Sequence, residues 1–196
     1  MKHSPAAERN KDPILNELKR LLPEKAFVLE VGSYSGQHAM HFASNLSGIT
    51  WQPSDVAENH ADLAEAIANA NLPNLKVPLV LDATDQSWSL AAGLADVLYT
   101  ANTMHIMGPA EVEQFFRHLP AVLEKDGMLI IYGPFKFEGK YTSESNQDFD
   151  QMLQSRGLKQ GLRDAEYLEQ LAKSALGLAL KECITMPANN NLLVFR

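Results

Sequence analysis

Three carboxylates stand where short apolar runs end. Glu30 closes a run over 27–31, Asp55 follows 49–54, and Asp82 follows 77–81. Just past Glu30, Gly32 and Gly36 bracket Ser33, Tyr34 and Ser35. A loop framed this way, between a strand and a helix, lets a ligand lie against bare backbone, because glycine carries no Cβ and tolerates φ > 0. The helix that follows offers free N–H groups to anything negative. Asp55 lies nineteen positions beyond Gly36, which places a charged acceptor where ribose hydroxyls sit in nucleotide-binding α/β proteins. Asp55 and Asp82 are also residue types that cap helices and loops, so each acid has a purely local alternative. His105 stands three residues past Asn102. With an unperturbed pKa of about 6.5 it suits a general base near neutrality. The alternative is a histidine hydrogen-bonded within its loop.

These residues need a frame, and the apolar pattern supplies one. Runs over 27–31, 49–55, 77–83, 95–102 and 128–133 read as strands. Helical patterns alternate with them, one carrying Val112, Phe115, Phe116, Leu119 and Val122 on one face. Alternating strands and helices favour a parallel sheet with right-handed crossovers. Runs over 178–186 and 191–196, joined by Pro187, Ala188, Asn189 and Asn190, read as an antiparallel pair. Ser4 and Pro5 open one helical turn, Asp12 and Pro13 a second, with Arg9, Asn10 and Lys11 as a linker between them. Trp88 and Leu90 pack a short helix. Segment 134–144 reads as a loop, with helices around 148–155 and 164–176, the latter stopped by Gly177.

With 196 residues, 45% of them apolar and 21% charged, the chain can bury a core as one domain, 1–196. Within it, 1–23 forms a helical cover and 134–163 a lid or substrate-side insertion. The net charge is −7 and the basic residues are scattered, which speaks against nucleic acid as substrate. No apolar run approaches the ~20 residues of a membrane span, and no signal-peptide core opens the chain. A single cysteine, Cys183, excludes an internal disulfide and suits a cytoplasmic protein. Its apolar surroundings predict a buried, inert thiol. His38 and His41 lie three apart on a helix, but no acid cluster accompanies them, so no metal is expected.

The glycine spacing is not that of dinucleotide binders, which need glycines at i, i+2 and i+5; Tyr34 and Gln37 occupy the later two places. Glu30, Gly32 and Gly36 instead resemble the first motif of class I S-adenosylmethionine-dependent methyltransferases, with Tyr34 replacing a glycine. The whole chain resembles the family of methyltransferase-like protein 26 and its bacterial relatives. The stretches that carry this are 4–11, 28–30, 35–39, 51–55, 102–106, 132–135, 145–150 and 186–190.

The resemblance implies a class I methyltransferase (Rossmann-like) α/β fold: a mostly parallel seven-stranded sheet, a C-terminal antiparallel hairpin, and helices on both faces. It also implies S-adenosyl-L-methionine as cofactor. Glu30 would then anchor the methionine amino end, and Gly32, Ser33, Tyr34 and Gly36 would form the loop against the cofactor. Asp55 would hold the ribose, Asp82 the adenine amino group, and the Ala83 N–H would face a ring nitrogen. Asn102 would bound the methionine side. His105 is the candidate base, and Arg9, Asn10, Tyr132 and Asn189 are candidate acceptor-side residues.

The expected activity is methyl transfer to a small molecule. The rival reading is a non-catalytic module that holds S-adenosylmethionine or S-adenosylhomocysteine, or that binds a protein partner. Tyr34, crowding the glycine loop, favours the rival.

Overall fold

The structure is a computed structural model that describes residues 2–90, 93–156 and 159–196. Seven strands form one mixed sheet in the order β3 (Leu79–Val80), β2 (Ile49–Asp55), β1 (Ala26–Val31), β4 (Ala95–Ala101), β5 (Leu123–Gly133), β9 (Asn190–Phe195), β8 (Leu180–Met186). The chain divides into two compact units. The first holds Met1–Asp82 with Ala95–Thr100, and the second holds Ala83–Leu94 with Ala101–Arg196.

The first unit contains α1 (Pro5–Leu21), β1 (Ala26–Val31), α2 (Gln37–Asn45), β2 (Ile49–Asp55), α3 (Ala57–Ala70), the two-residue β3 (Leu79–Val80) and most of β4 (Ala95–Ala101). β1 pairs in parallel with both β2 and β4, and β2 with β3. β1 and β2 are buried along nearly their whole length, the signature of parallel strands covered on both sides. Phe42, Trp51 and Tyr99 pack ring to ring with centroids 5.3–5.7 Å apart.

The expected linker at residues 9–11 is instead the middle of one helix. α1 runs unbroken through Pro13, with Ala7, Asn10, Ile14, Leu15, Leu18 and Leu21 buried on one face. Pro13 removes the hydrogen bond to the Arg9 carbonyl, but Arg9 is exposed and water can serve there. The apolar stripe outweighs the local break signal. Ser4 caps the helix as expected, accepting from the Ala7 N–H at 3.2 Å.

The second unit contains α4 (Pro109–Val122), β5 (Leu123–Gly133), the β6–β7 hairpin (Lys136–Phe137, Lys140–Tyr141), α5 (Glu144–Ser155), α6 (Ala165–Leu176), β8 (Leu180–Met186) and β9 (Asn190–Phe195). β9 lies antiparallel to both β5 and β8. Gly177 ends α6 in the left-handed conformation, φ 74°. Trp88 is buried, yet the described residues from Ala83 to Leu90 form a turn and irregular chain, not a helix. Trp88 is anchored by stacking on His118 instead. Cys183 corrects another expectation. It lies on the outermost strand, whose residues alternate between half-buried and exposed, and it is exposed. An apolar run at a sheet edge buries one side only.

Candidate functional site

Within the first unit, the turn after β1 is knitted to the end of β2. The Gly32 and Ser33 N–H groups both donate to the Ser54 carbonyl, at 3.0 and 2.9 Å. The Ser54 N–H returns a bond to Ser33 Oγ at 3.2 Å, and Ser54 Oγ donates to the Glu30 carbonyl at 2.7 Å. Gly32, Tyr34 and Gly36 all take positive φ: 80°, 47° and 73°. For Gly36 the reason is partly packing, since a Cβ would meet Leu63 Cδ1 at 3.1 Å and Ile67 Cδ1 at 3.2 Å. Its bare carbon faces α3. The first turn of α2 has neither an acid nor a side-chain cap, so nothing on that turn offsets the positive end of the helix dipole.

Tyr34 does not fill the loop. It is 43% exposed, and its ring lies 5.7 Å from Lys2 Nζ. Its N–H donates to Asp55 Oδ2 at 2.5 Å. Asp55 Oδ1 accepts from the Val56 N–H at 2.8 Å and from Asn59 Nδ2 at 2.7 Å. Asp55 therefore tethers the loop and holds Val56 and Asn59 at the head of α3, but it is not the helix cap: that place is Val56, and no side chain caps it. A carboxylate has about four acceptor positions; these three donors leave room on Oδ2 for one more.

Glu30 is buried and accepts from Trp51 Nε1 at 2.8 Å. Burial lifts its pKa to about 7, bonds from Trp51 and Ser33 oppose that rise, and the Asp55 charge adds to it. Asn10, on α1, is buried with its Oδ1 2.7 Å from His38 Nε2. An amide oxygen only accepts, so Nε2 carries the proton. Nδ1 then accepts from the Tyr99 hydroxyl at 3.4 Å. Burial, with His41 adding to it, pulls the His38 pKa down to about 4. α1 thus rests on α2 through a neutral histidine, and a second link runs from the Ser4 N–H to Gln37 Oε1 at 2.6 Å. Arg9, on the same helix, is exposed, and Asp82 is half-buried. A cleft of about 270 Å³ lined by Leu18, Leu22, Pro23, Leu46, Gly48 and Ile49 lies where β1 and β2 begin, away from the strand ends that bear the acids.

In the second unit, Asn102 takes φ 58° and donates its N–H to the Tyr132 carbonyl at 2.8 Å. Gly133 is the point of convergence. A Cβ there would stand 3.6 Å from the Phe135 ring and 3.9 Å from both Asn102 Oδ1 and His105 Nδ1. Asn102, His105 and the end of β5 are thus brought together. Tyr132 is fully buried. Asn189 lies with other partners: its carbonyl accepts from Asn146 Nδ2 at 2.9 Å, and its Nδ2 donates to Ser145 Oγ at 3.0 Å.

His105 is buried, with the Phe149 ring edge-on at 5.2 Å. Its pKa is not near neutrality as the sequence suggested. Burial, with the Arg163 charge adding to it, pulls it down to about 4. Sequence reasoning missed the residues that hold this loop. Arg163 donates to the carbonyls of Met104, Met107 and Lys159. The Gly161 N–H donates to the His105 carbonyl at 3.0 Å. Asp150, fully buried, accepts from the Leu162 N–H at 2.7 Å, the Tyr141 hydroxyl at 2.8 Å and Gln154 Nε2 at 3.0 Å. The helical neighbours of Asp150, Asn146, Gln147, Leu153 and Gln154, are mostly polar, so no apolar stripe marked it as buried. Nothing local marked Arg163.

The strand order, with parallel strands on one side and β9 antiparallel on the other, defines the fold of class I methyltransferases, and solved structures share it. An O-methyltransferase family protein from Burkholderia thailandensis superposes with a TM-score of 0.78 at 16% identity, over 97% of this chain and 57% of that one. Mitomycin 7-O-methyltransferase gives 0.80 at 13%, over 97% and 54%. Human N-acetylserotonin methyltransferase, crystallised with S-adenosylmethionine, gives 0.78 at 13%, over 97% and 52%. The chain therefore spans little more than half the length of these neighbours. It belongs to the family described as "Protein of unknown function (DUF938)", which matches residues 1–196. Among the described residues no helix is long and apolar enough to cross a membrane.

Proposed function

We propose that the chain is a methyltransferase that uses S-adenosylmethionine, within the methyltransferase-like protein 26 group, and acts on a small molecule. The observation that carries this reading is the left-handed turn Gly32–Gly36. It is fixed to the end of β2 and has the carboxylates of Glu30 and Asp55 beside it. The residues fit the cofactor. Asp55 keeps one acceptor position, which suits a single ribose hydroxyl. The uncapped start of α2 suits a carboxylate. Glu30, with its pKa near 7, gains charge when a cation arrives. The bound cofactor supplies an electrophilic methyl group. The exposed ring of Tyr34 counts against the non-catalytic rival, since the loop keeps its shape without glycine there.

Asp82 and the Ala83 N–H are assigned to the adenine, and Asn102 to the methionine side. His105 presents an unprotonated imidazole at pH 7, the form a base needs. So low a pKa makes it effective only toward an acceptor whose proton is already acidic. Asn10 is reassigned here from acceptor contact to holding His38, while Arg9, Tyr132 and Asn189 stay as acceptor-side candidates. The N-terminal segment 1–23 acts as a cover and 134–163 as the acceptor-side segment of one functional domain, 1–196. The acidic balance of the chain argues for a small-molecule partner over nucleic acid, and its lone cysteine for the cytoplasm.

A thermal-shift titration tests the reading. At 100 times Kd, S-adenosylhomocysteine should stabilise the protein by about 2.7 kcal/mol, while NAD should leave it unchanged. No shift with S-adenosylhomocysteine would overturn the assignment.

A further inference from the structure

We infer that His118 is a positioning residue for adenine recognition, holding Ala83 so that its N–H can read the ring. This rests on the cofactor reading above and adds a residue to it. His118 lies in the last turns of α4 and is buried. Its Nε2 stands 3.3 Å from the Ala83 carbonyl oxygen. A carbonyl only accepts, so Nε2 carries the proton and donates. Gln114 Nε2 lies 3.5 Å from the same nitrogen. In this tautomer both are donors, so that contact is not a bond.

The same imidazole grips the segment a second time. Trp88 stacks on it with centroids 4.5 Å apart and planes at 17°, and meets Phe115 edge-on at 5.7 Å. One side chain therefore fixes residue 83 by a hydrogen bond and residue 88 by stacking. Ala83 lies in a turn, outside any strand ladder that would set its orientation. Fixing its carbonyl restricts its φ and ψ, and with them the direction of its own N–H. Backbone recognition of a ring nitrogen depends on that direction, because hydrogen bonds weaken steeply as they bend.

The test compares S-adenosylhomocysteine with its 1-deaza-adenine analogue, in which a C–H replaces the ring nitrogen. Calorimetric Kd values are measured for the whole 196-residue chain. The wild type should prefer S-adenosylhomocysteine more than tenfold. H118F keeps a ring to stack on Trp88 but has no donor, and should cut the preference below threefold. H118Q restores a donor and should restore most of the preference. H118L serves as a second donor-free variant should H118F fold poorly.

A donor-free variant that weakens both ligands equally, leaving the tenfold ratio intact, overturns the inference and makes His118 merely structural. H118Q behaving like the donor-free variants overturns it too, as does a wild type that binds without preference. A wild type that binds neither ligand sinks the cofactor reading itself, and the inference with it.

Discussion

The end of β1 and the loop after β4 each bury an ionisable group, and they treat it differently. Burial drives Glu30 upward and His105 downward, each toward its neutral form. Around Glu30, however, Trp51 and Ser33 donate hydrogen bonds that oppose burial. The result is a carboxyl poised near pH 7 that responds to any charge placed beside it. Around His105 the neighbouring Arg163 reinforces burial, so the imidazole is held neutral at pH 7. The contrast is between a group held at its switching point and one held well clear of it. On the proposed reading, Glu30 would meet a cation and His105 would accept a proton.

The scaffolds differ as well. The first loop is held largely by its own strands, through Ser54 and Asp55. The second is held by groups far along the chain, Arg163 and, beneath it, Asp150. The largest expected effect therefore comes from breaking the second scaffold. Asp150→Ala leaves three donors without their buried acceptor, and removing such partners costs about 1–3 kcal/mol each. Global stability should fall by roughly 3–5 kcal/mol in a denaturant titration. A loss under 1 kcal/mol would mean that the loop has other supports.

Next comes the pH response of Glu30. Its pKa rises from 4.5 unfolded to about 7 folded. Between these values the native state holds the extra proton, so this group's contribution to stability falls as pH rises through that window and is flat above it. The whole excursion is worth about 3 kcal/mol. The wild type should lose that much relative to Glu30→Gln between pH 4.5 and 7.5. Parallel stability curves would show that Glu30 titrates normally. The histidines give the opposite limb. With folded pKa values of about 4, His38 and His105 contribute stability that is present above pH 6.5 and lost as pH falls toward 4. The smallest effect is electrostatic. Arg163→Gln should raise the His105 pKa, read as a shift in its imidazole NMR titration. An unchanged midpoint would leave burial as the sole cause.

How much was legible in the sequence follows from the range of each interaction. The alternation of strands and helices, the glycine loop and the caps at Ser4 and Gly177 depend on neighbours in sequence, and the pattern of residues displayed them. The single helix through Pro13 depends on an apolar stripe that found a surface, and a local break signal concealed it. The exposure of Cys183 depends on which strand lies at the edge, which no run of residues records. His105 was found by position, but its proton affinity is set by burial and by Arg163, 58 residues further along the chain. Asp55 was read as ribose acceptor or helix cap; the cap reading fails, since Val56 takes that place with no side chain bonded to the first turn, and the tether to the Tyr34 N–H, 21 residues back, left no local mark.

The central claim is that the Gly32–Gly36 turn and Asp55 hold an adenosyl cofactor. Calorimetric titration of S-adenosylhomocysteine into wild type and Asp55→Ala tests it most directly. The account predicts saturable one-to-one binding to the wild type, weakened in the variant by roughly 1.5–3 kcal/mol, the worth of a hydrogen bond to a charged group. Equal affinity in the two proteins would contradict it, leaving Asp55 as a tether for the turn and for Asn59.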